Sequence, residues 1–210
     1  MKSFVRCFFV FFLLSAAVVH AGEIGGEWTV YGPYYRLMHR APDGLLKKDL
    51  PAKLRVGSQT QPAVKGTPAD GKLDITALMG KSNPRRAFYV CIPIQAAKDE
   101  TMRIGAGADW SMDLYLNGQP VGDTLMDGNV AWPPTNSDHI FTLNLKRGKN
   151  LLVVGVMGGL STQQLLIKPD PAGKPQVVST KQFGKEKLPP VAAVAEKWKN
   201  GTGKAQFQPN

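Results

Sequence analysis

The residue types best suited to chemistry lie within residues 123–139, which read DTLMDGNVAWPPTNSDH. The indole of Trp132 stands there among amide, carboxylate and imidazole side chains: Asn129, Asn136, Asp138 and His139. Trp110 supplies a second indole nearby in the chain. A flat aromatic ring packs against the apolar C–H face of a sugar, and neighbouring polar groups bind its hydroxyls. These six residues are predicted to bind a carbohydrate ligand.

A purely structural interpretation of the same residues stays open. Trp132 would then cover the end of a core, Asp138 and His139 would tie the loop to its neighbours, and Trp110 would be buried at a strand end. Pro133 and Pro134 stiffen the segment on either interpretation, and a stiff segment loses less entropy when it binds.

No catalytic arrangement is recognisable. A glycosidase needs two carboxylates that face each other across the sugar bond, and no spacing pairs any of the Asp residues. The G-x-S-x-G sequence of serine hydrolases is absent. We therefore expect no catalytic residue and no cofactor, and a hydrolase without a visible motif is the minor alternative.

A metal site is not expected either. His39, His139 and Cys91 are too few for a zinc site at recognisable spacing. Calcium would accept oxygen ligands from loop residues, and the available ones lack EF-hand spacing. They are Asp109, Asp123, Asp127 and Asn129.

Residues 1–21 have the features of a signal peptide. Lys2 and Arg6 precede an apolar run over residues 8–19, and small residues precede a cleavage point after Ala21. The run is too short to cross a bilayer, and no later segment is continuously apolar for long enough. The sequence therefore predicts a secreted or periplasmic protein without an integral membrane segment after cleavage.

Positive charge is concentrated at the C-terminus. The net charge of +10 falls to +8 when Lys2 and Arg6 are removed, and residues 169–210 hold +4 of it, from seven Lys against three acidic residues. Proline-rich breaks in this segment predict a mostly disordered tail, with one short helical stretch at residues 191–199. Nucleic acid is not an expected partner, because no aromatic-studded basic stripe is present.

Residues 22–168 are predicted to form one β-sandwich domain. Asn117-Gly118 is a typical two-residue hairpin turn, and residues 150–157 are apolar enough for a central strand buried on both faces. A long irregular stretch follows Gly32-Pro33, although the end of residues 50–56 within it looks extended. Residues 72–80 offer a brief strand, with helical character at residues 75–80. Eight to ten short strands are predicted in total. Those not yet named lie around residues 28–31, 86–94, 101–107, 112–116, 139–145 and 163–168.

Three residues within the predicted strands carry structural expectations. Gly105 and Gly107 predict that another group passes close above their strand, with Trp110 or the facing sheet as the natural occupant. Cys91 lies in an apolar strand and is expected to be a buried, inert thiol.

Residues 27–159 resemble a known family. The pieces GEWTVYGP, IGAGADWSMDLYLNGQPVGDT, GNVAWPP and SDHIFTLNLKRGKNLLVVGVMGG are similar, in this order, to galactose-binding-domain-like jelly-roll modules that accompany secreted bacterial glycoside hydrolases and esterases. The resemblance implies an antiparallel two-sheet sandwich whose ligand sits at loops on one end. A fold alone does not establish a function.

Two functions follow as hypotheses. The first is an exported, non-catalytic module that binds a polysaccharide or glycan through the loops around Trp110 and residues 129–139. The second is a scaffold module that docks to an envelope polymer or a protein partner, with the basic tail contributing.

Overall fold

The two longest strands form where β-branched and other apolar residues follow one another. The computed structural model describes residues 22–35, 41–46, 49–81, 83–125, 128–160 and 162–169. Twelve strands lie in this part of the chain, together with a 3-10 turn at Asp43–Leu45 and one short helix, α1, at Ile75–Met79. The strands are β1 (Glu23–Ile24), β2 (Trp28–Tyr34), β3 (Lys53–Val56), β4 (Gln59–Gly66), β5 (Lys72–Asp74), β6 (Ala87–Ala96), β7 (Glu100–Ala108), β8 (Ser111–Leu116), β9 (Gln119–Asp123), β10 (His139–Leu145), β11 (Gly148–Met157) and β12 (Gln164–Pro169).

The strands assemble into two antiparallel sheets. The larger sheet has eight strands in the order β3-β4-β2-β6-β11-β8-β9, with β1 paired beside β6. The smaller sheet has four strands in the order β10-β7-β12-β5. The predicted fold class, an all-β sandwich of two antiparallel sheets, is confirmed.

The two sheets pack face to face through apolar side chains. A Cβ on Gly122 in β9 would lie 2.8 Å from the ring of Phe141 in β10, and one on Gly66 in β4 would lie 2.9 Å from Leu73 in β5. Glycine at these points lets a strand of one sheet approach the side chains of the other. The core between the sheets is therefore closely packed at its margins as well as its centre.

The eight-stranded sheet also carries a second core on its outer face. Successive residues of β6, β8 and β11 are buried, so both faces of these strands are covered. Residues 41–46 and 49–56, here called the strap, cover the outer face with Leu45, Leu54 and Val56 among other residues. The strap is held by two tyrosine hydroxyls, which donate from Tyr31 to the Pro51 carbonyl (2.6 Å) and from Tyr34 to the Leu54 carbonyl (2.8 Å).

Most of the sequence-based expectations for the strands are confirmed. The hairpin turns at Asn117-Gly118, both at positive φ, and β11 lies at the centre of the larger sheet. Cys91 is fully buried, and burial raises the pKa of its thiol well above the ordinary range. One expectation was wrong: the stretch predicted as irregular contains β4, an eight-residue strand inside the larger sheet.

Other expectations fall outside the residues described. They are the signal peptide, the C-terminal tail beyond Pro169 and the helical stretch at residues 191–199. In the part of the chain described, no helix is long and apolar enough to cross a membrane.

Candidate functional site

Several connections of both sheets meet at one end of the sandwich. In the larger sheet, the first residues of β6 and β8 pair with the last residue of β11, Met157. In the smaller sheet, the end of β7 lies beside the starts of β10 and β12. The loops at this end are residues 109–110, 124–138 and 158–163, and they include all six residues predicted from the sequence except His139, which begins β10.

Trp110 lies on a two-residue link between the sheets. The chain leaves the smaller sheet at Ala108 and enters the larger one at Ser111, and Trp110 takes φ 97° to make this crossing. A bulky residue rarely adopts positive φ, because its Cβ then crowds the backbone. The indole is 57% exposed, so the structure does not bury Trp110 in the core.

The loop that precedes β10 lies across β7. The backbone of Asn136 occupies the space where a Cβ on Gly105 would be, and Pro134 and Asp138 crowd the equivalent position on Gly107. The expectation of a close neighbour above these glycines is confirmed, but the expected occupant was wrong. The neighbour is this loop. Because Gly105 and Gly107 have no side chains, the backbone of the loop can lie directly on β7.

Asp138 and His139 are tied into the protein. The Asp138 carboxylate accepts hydrogen bonds from the backbone amide of Thr135 (3.0 Å) and from the Thr135 hydroxyl. His139 Nε2 lies 3.1 Å from the Gly128 carbonyl oxygen, so this nitrogen carries the proton and donates. Both side chains are buried, and their hydrogen bonds tie the loop to its neighbours. This is the role that the structural interpretation gave them.

The other predicted residues of the loop are more open. Trp132 is 52% exposed, and Asn129 Nδ2 donates to the Ala131 carbonyl at 3.5 Å. Asn136 is half-buried, and its Oδ1 is shielded from solvent without a hydrogen-bond partner. The structure thus leaves Trp110, Asn129 and Trp132 able to meet a ligand directly, whereas Asp138 and His139 support the loop.

The exposed tryptophans belong to a wider apolar surface, here called the rim: Tyr35, Trp110, Val130, Trp132 and Leu160, all exposed. The Arg86 guanidinium lies 4.7 Å from the centre of the Tyr35 ring, and the Gly158 amide donates to the Arg86 carbonyl at 2.9 Å. A Cβ on Gly159 would lie 2.9 Å from Asp109 Oδ1, and one on Gly128 would lie 3.7 Å from the Trp110 carbonyl oxygen. The segments that carry Trp110 and Leu160 therefore come close to each other at this end of the sandwich.

Sequence reasoning missed Tyr35 and Leu160. Leu160 is 71% exposed and follows two glycines, and an apolar residue in a Gly-Gly turn is a signal of exposure. Tyr35 follows the fully buried Tyr34, and the period of two in a strand turns one of two adjacent side chains outwards. Both signals were present in the sequence.

Two adjacent cationic residues, Arg85 and Arg86, lie at this end. Arg85 takes φ 54° and donates its backbone amide to the Gly159 carbonyl at 2.8 Å, next to Arg86. The nearest carboxylate, that of Asp109, is half-buried, and burial raises its pKa; the Gly159 amide offsets this only in part. Asp109 Oδ2 is shielded from solvent and has no hydrogen-bond partner.

A second perturbed carboxyl lies on the outer face of the larger sheet. Pairing across the strands aligns Tyr89, Gly155, Asp113 and Asp123 in one row. Asp113 is 3% exposed, accepts a hydrogen bond from the Tyr115 hydroxyl (3.0 Å) and leaves Oδ1 without a partner. Burial, reinforced by the nearby Asp123 charge, raises the pKa of Asp113 to about 7.

The described residues contain no group of three or more His, Cys, Asp or Glu side chains placed to hold a metal ion. Of the four residues available to calcium, Asp127 is not among those described. Asp123 Oδ1 accepts the backbone amide of Leu125 at 3.1 Å.

No family model matches the chain, and no curated protein does. Solved structures with some likeness are glycoside hydrolases. A β-glucosidase from Kluyveromyces marxianus covers 70% of this chain with 13% sequence identity and a TM-score of 0.40. The structure of its complex with glucose also covers 70% of this chain, with 14% identity and a TM-score of 0.42. A GH31 α-xylosidase from Xanthomonas citri has 15% and 0.33 over 73%.

This chain spans only 16%, 17% and 18% of the length of those three chains, respectively. Such weak likenesses assign the chain neither a family nor a function.

Proposed function

We propose that this domain is a non-catalytic, galactose-binding-domain-like module that binds a polysaccharide or glycan through the rim. The observation that carries the proposal is the pair of half-exposed indoles, Trp110 and Trp132, on neighbouring loops at one end of the sandwich. The proposal includes export through the signal peptide predicted at residues 1–21.

The chemistry of the rim matches a sugar. Single apolar residues are common on protein surfaces, but several of them exposed at one end of a domain, two of them tryptophans, favour a binding site. The rim combines indole faces with the Asn129 amide and with backbone groups of the loops, as a ligand with alternating apolar faces and hydroxyls requires.

The loops that carry the indoles are already ordered by internal bonds. Asp138 fixes the turn that follows Trp132, His139 ties that loop to Gly128, and Gly128 lies against the Trp110 carbonyl. A surface that is fixed before binding loses little conformational entropy when a ligand arrives. The buried polar residues thereby support binding without touching the ligand.

Affinity electrophoresis against a panel of neutral and acidic polysaccharides tests the proposal, with titration calorimetry for any polymer that retards the protein. Each of W110A and W132A is expected to weaken binding about tenfold, because covering roughly 60 Å² of ring at ~25 cal/mol per Å² corresponds to about 1.5 kcal/mol. Leu46→Ala is the matched control, since Leu46 is exposed and lies against the hairpin turn at Gly118.

The outcomes separate the competing functions. Retardation that is lost in the double variant W110A/W132A and kept in L46A supports glycan binding. If no polysaccharide retards the protein, or if the double variant binds as well as the original protein, glycan binding is contradicted. Binding that instead disappears when the chain is cut after Lys168 would favour the scaffold function that depends on the basic tail.

A further inference from the structure

We infer that the rim selects acidic polysaccharides, and that Arg85 and Arg86 bind the carboxylates of uronic acid residues. This inference rests on the proposed function and names its class of ligand. Both arginines lie in the connection between α1 and β6, which is hydrogen-bonded to the 158–159 turn beside Leu160.

The geometry places cationic groups beside an apolar surface. The Arg86 guanidinium lies 4.7 Å from the centre of the Tyr35 ring. A guanidinium stacked on a ring is held in orientation, while its N–H groups still point outwards in the plane. Arg85 is exposed, and its backbone is anchored by the bond from its amide to the Gly159 carbonyl.

Neither guanidinium is neutralised by the described part of the protein. No described carboxylate forms an ion pair with Arg85 or Arg86, whereas Lys65, Lys146 and Lys168 each pair with an acidic residue. Two adjacent arginines without counter-charges repel each other, and an anionic ligand would remove that repulsion.

Two of the described carboxylates at this end are held within the protein. Asp138 is bonded within its own loop, and Asp109 has its Oδ2 shielded from solvent. An approaching anion therefore meets the arginines, with the exposed Lys81 in the same connection, before it meets either carboxylate. Local charge favours an acidic ligand.

A uronic acid polymer fits both halves of this surface. Each sugar offers a C–H face to an indole and a planar carboxylate that matches the two-pronged donor pattern of a guanidinium. A phosphate-rich membrane surface would satisfy the charges but would not use the indoles as stacking platforms for rings.

The test compares polygalacturonate with its fully methyl-esterified form, in which each carboxylate is replaced by a neutral methyl ester, by titration calorimetry with the full chain. Polygalacturonate is expected to bind about tenfold more tightly, because only its carboxylates can form charge-assisted hydrogen bonds with the arginines. R85Q/R86Q should remove this preference.

The matched control is K98Q/K149Q, which removes the same charge from exposed residues at the opposite end of β6 and β11. It should retain the preference, and raising the salt concentration should weaken only the binding of polygalacturonate. If R85Q/R86Q does not fold, the single variant R85Q takes its place, because Arg85 is exposed, and it should reduce the preference.

The failures can be told apart. Equal affinity for the two polymers, or equal losses in the arginine and lysine variants, overturns the inference while glycan binding stands. Binding of neither these nor any neutral polysaccharide overturns the proposed function as well. Binding to phosphatidylglycerol vesicles without binding to polygalacturonate would show that the arginines serve a lipid surface, and this too overturns the inference.

Discussion

Replacing Asp113 by Asn should make the stability of the domain fall less as the pH rises from acidic to neutral values. The Asp113 carboxyl is enclosed on the outer face of the larger sheet, where Tyr115 satisfies only one of its oxygens. Because burial disfavours the charged form, its pKa is raised from 3.8 to about 7 in the folded protein. Asn keeps the shape and the acceptor for the Tyr115 hydroxyl, and it has no charge to bury.

The sign and size follow from this difference in pKa. A raised folded-state pKa means that the stabilising contribution is fully present below the unfolded pKa near 4 and is lost as the pH rises through 7. At about 1.4 kcal/mol per pKa unit, the loss is about 2 kcal/mol at pH 5 and about 4 kcal/mol at pH 8. The free energy of unfolding of D113N, relative to that of the original protein, should therefore increase by about 2–3 kcal/mol from pH 5 to pH 8.

Urea unfolding of both proteins at pH 5 and pH 8 measures this gain directly. The comparison at each pH cancels the titration of all other groups, which the two proteins share. Asp49→Asn, at an exposed position, serves as the control and should follow the original protein at both pH values. A D113N curve that shifts by the same amount at both pH values would refute the reasoning, because it would show that Asp113 is ionised equally in the folded and unfolded states.

Two further predictions concern packing. Gly105→Ala should destabilise the domain by about 1–3 kcal/mol in urea unfolding, because its Cβ would overlap the Asn136 backbone. Gly26→Ala is the control and should have little effect, because nothing lies within 4 Å of its added Cβ. Equal losses of stability in the two variants would contradict the packing argument. In a chain that starts at Gly22, the Cys91 thiol should resist a thiol reagent until the protein unfolds, because burial raises its pKa; rapid labelling of the folded protein would contradict its enclosed position.

Local signals in the sequence predicted local structure well. Asn117-Gly118 specifies its hairpin because both residues tolerate positive φ, and the apolar run in β11 specifies a strand covered on both faces. By contrast, β4 contains Pro62 and polar residues, so its own sequence does not indicate a strand. It forms because β3, the preceding strand of a hairpin, and β2 offer backbone partners on its two sides, and β2 is distant in sequence.

The candidate site was predictable in composition but not in arrangement. The sequence identified both tryptophans and the polar residues around Trp132. It did not show that Trp110 adopts positive φ, since only tertiary packing imposes that conformation on a residue other than Gly or Asn. Nor did it show which polar groups face inwards, because the glycines that receive the Asn136 loop lie about thirty residues earlier in the chain.

The strap that covers the larger sheet limits how a partner can approach. With Leu45, Leu54 and Val56 packed over its outer face and the smaller sheet against its inner face, the larger sheet has little broad surface on which an extended polymer could lie along the strands. A long glycan bound through the rim, as proposed, would meet the loops end-on, over a footprint of a few sugar rings. Such a footprint suits the recognition of chain ends and branch points, so short oligosaccharides should compete almost as well as the intact polymer.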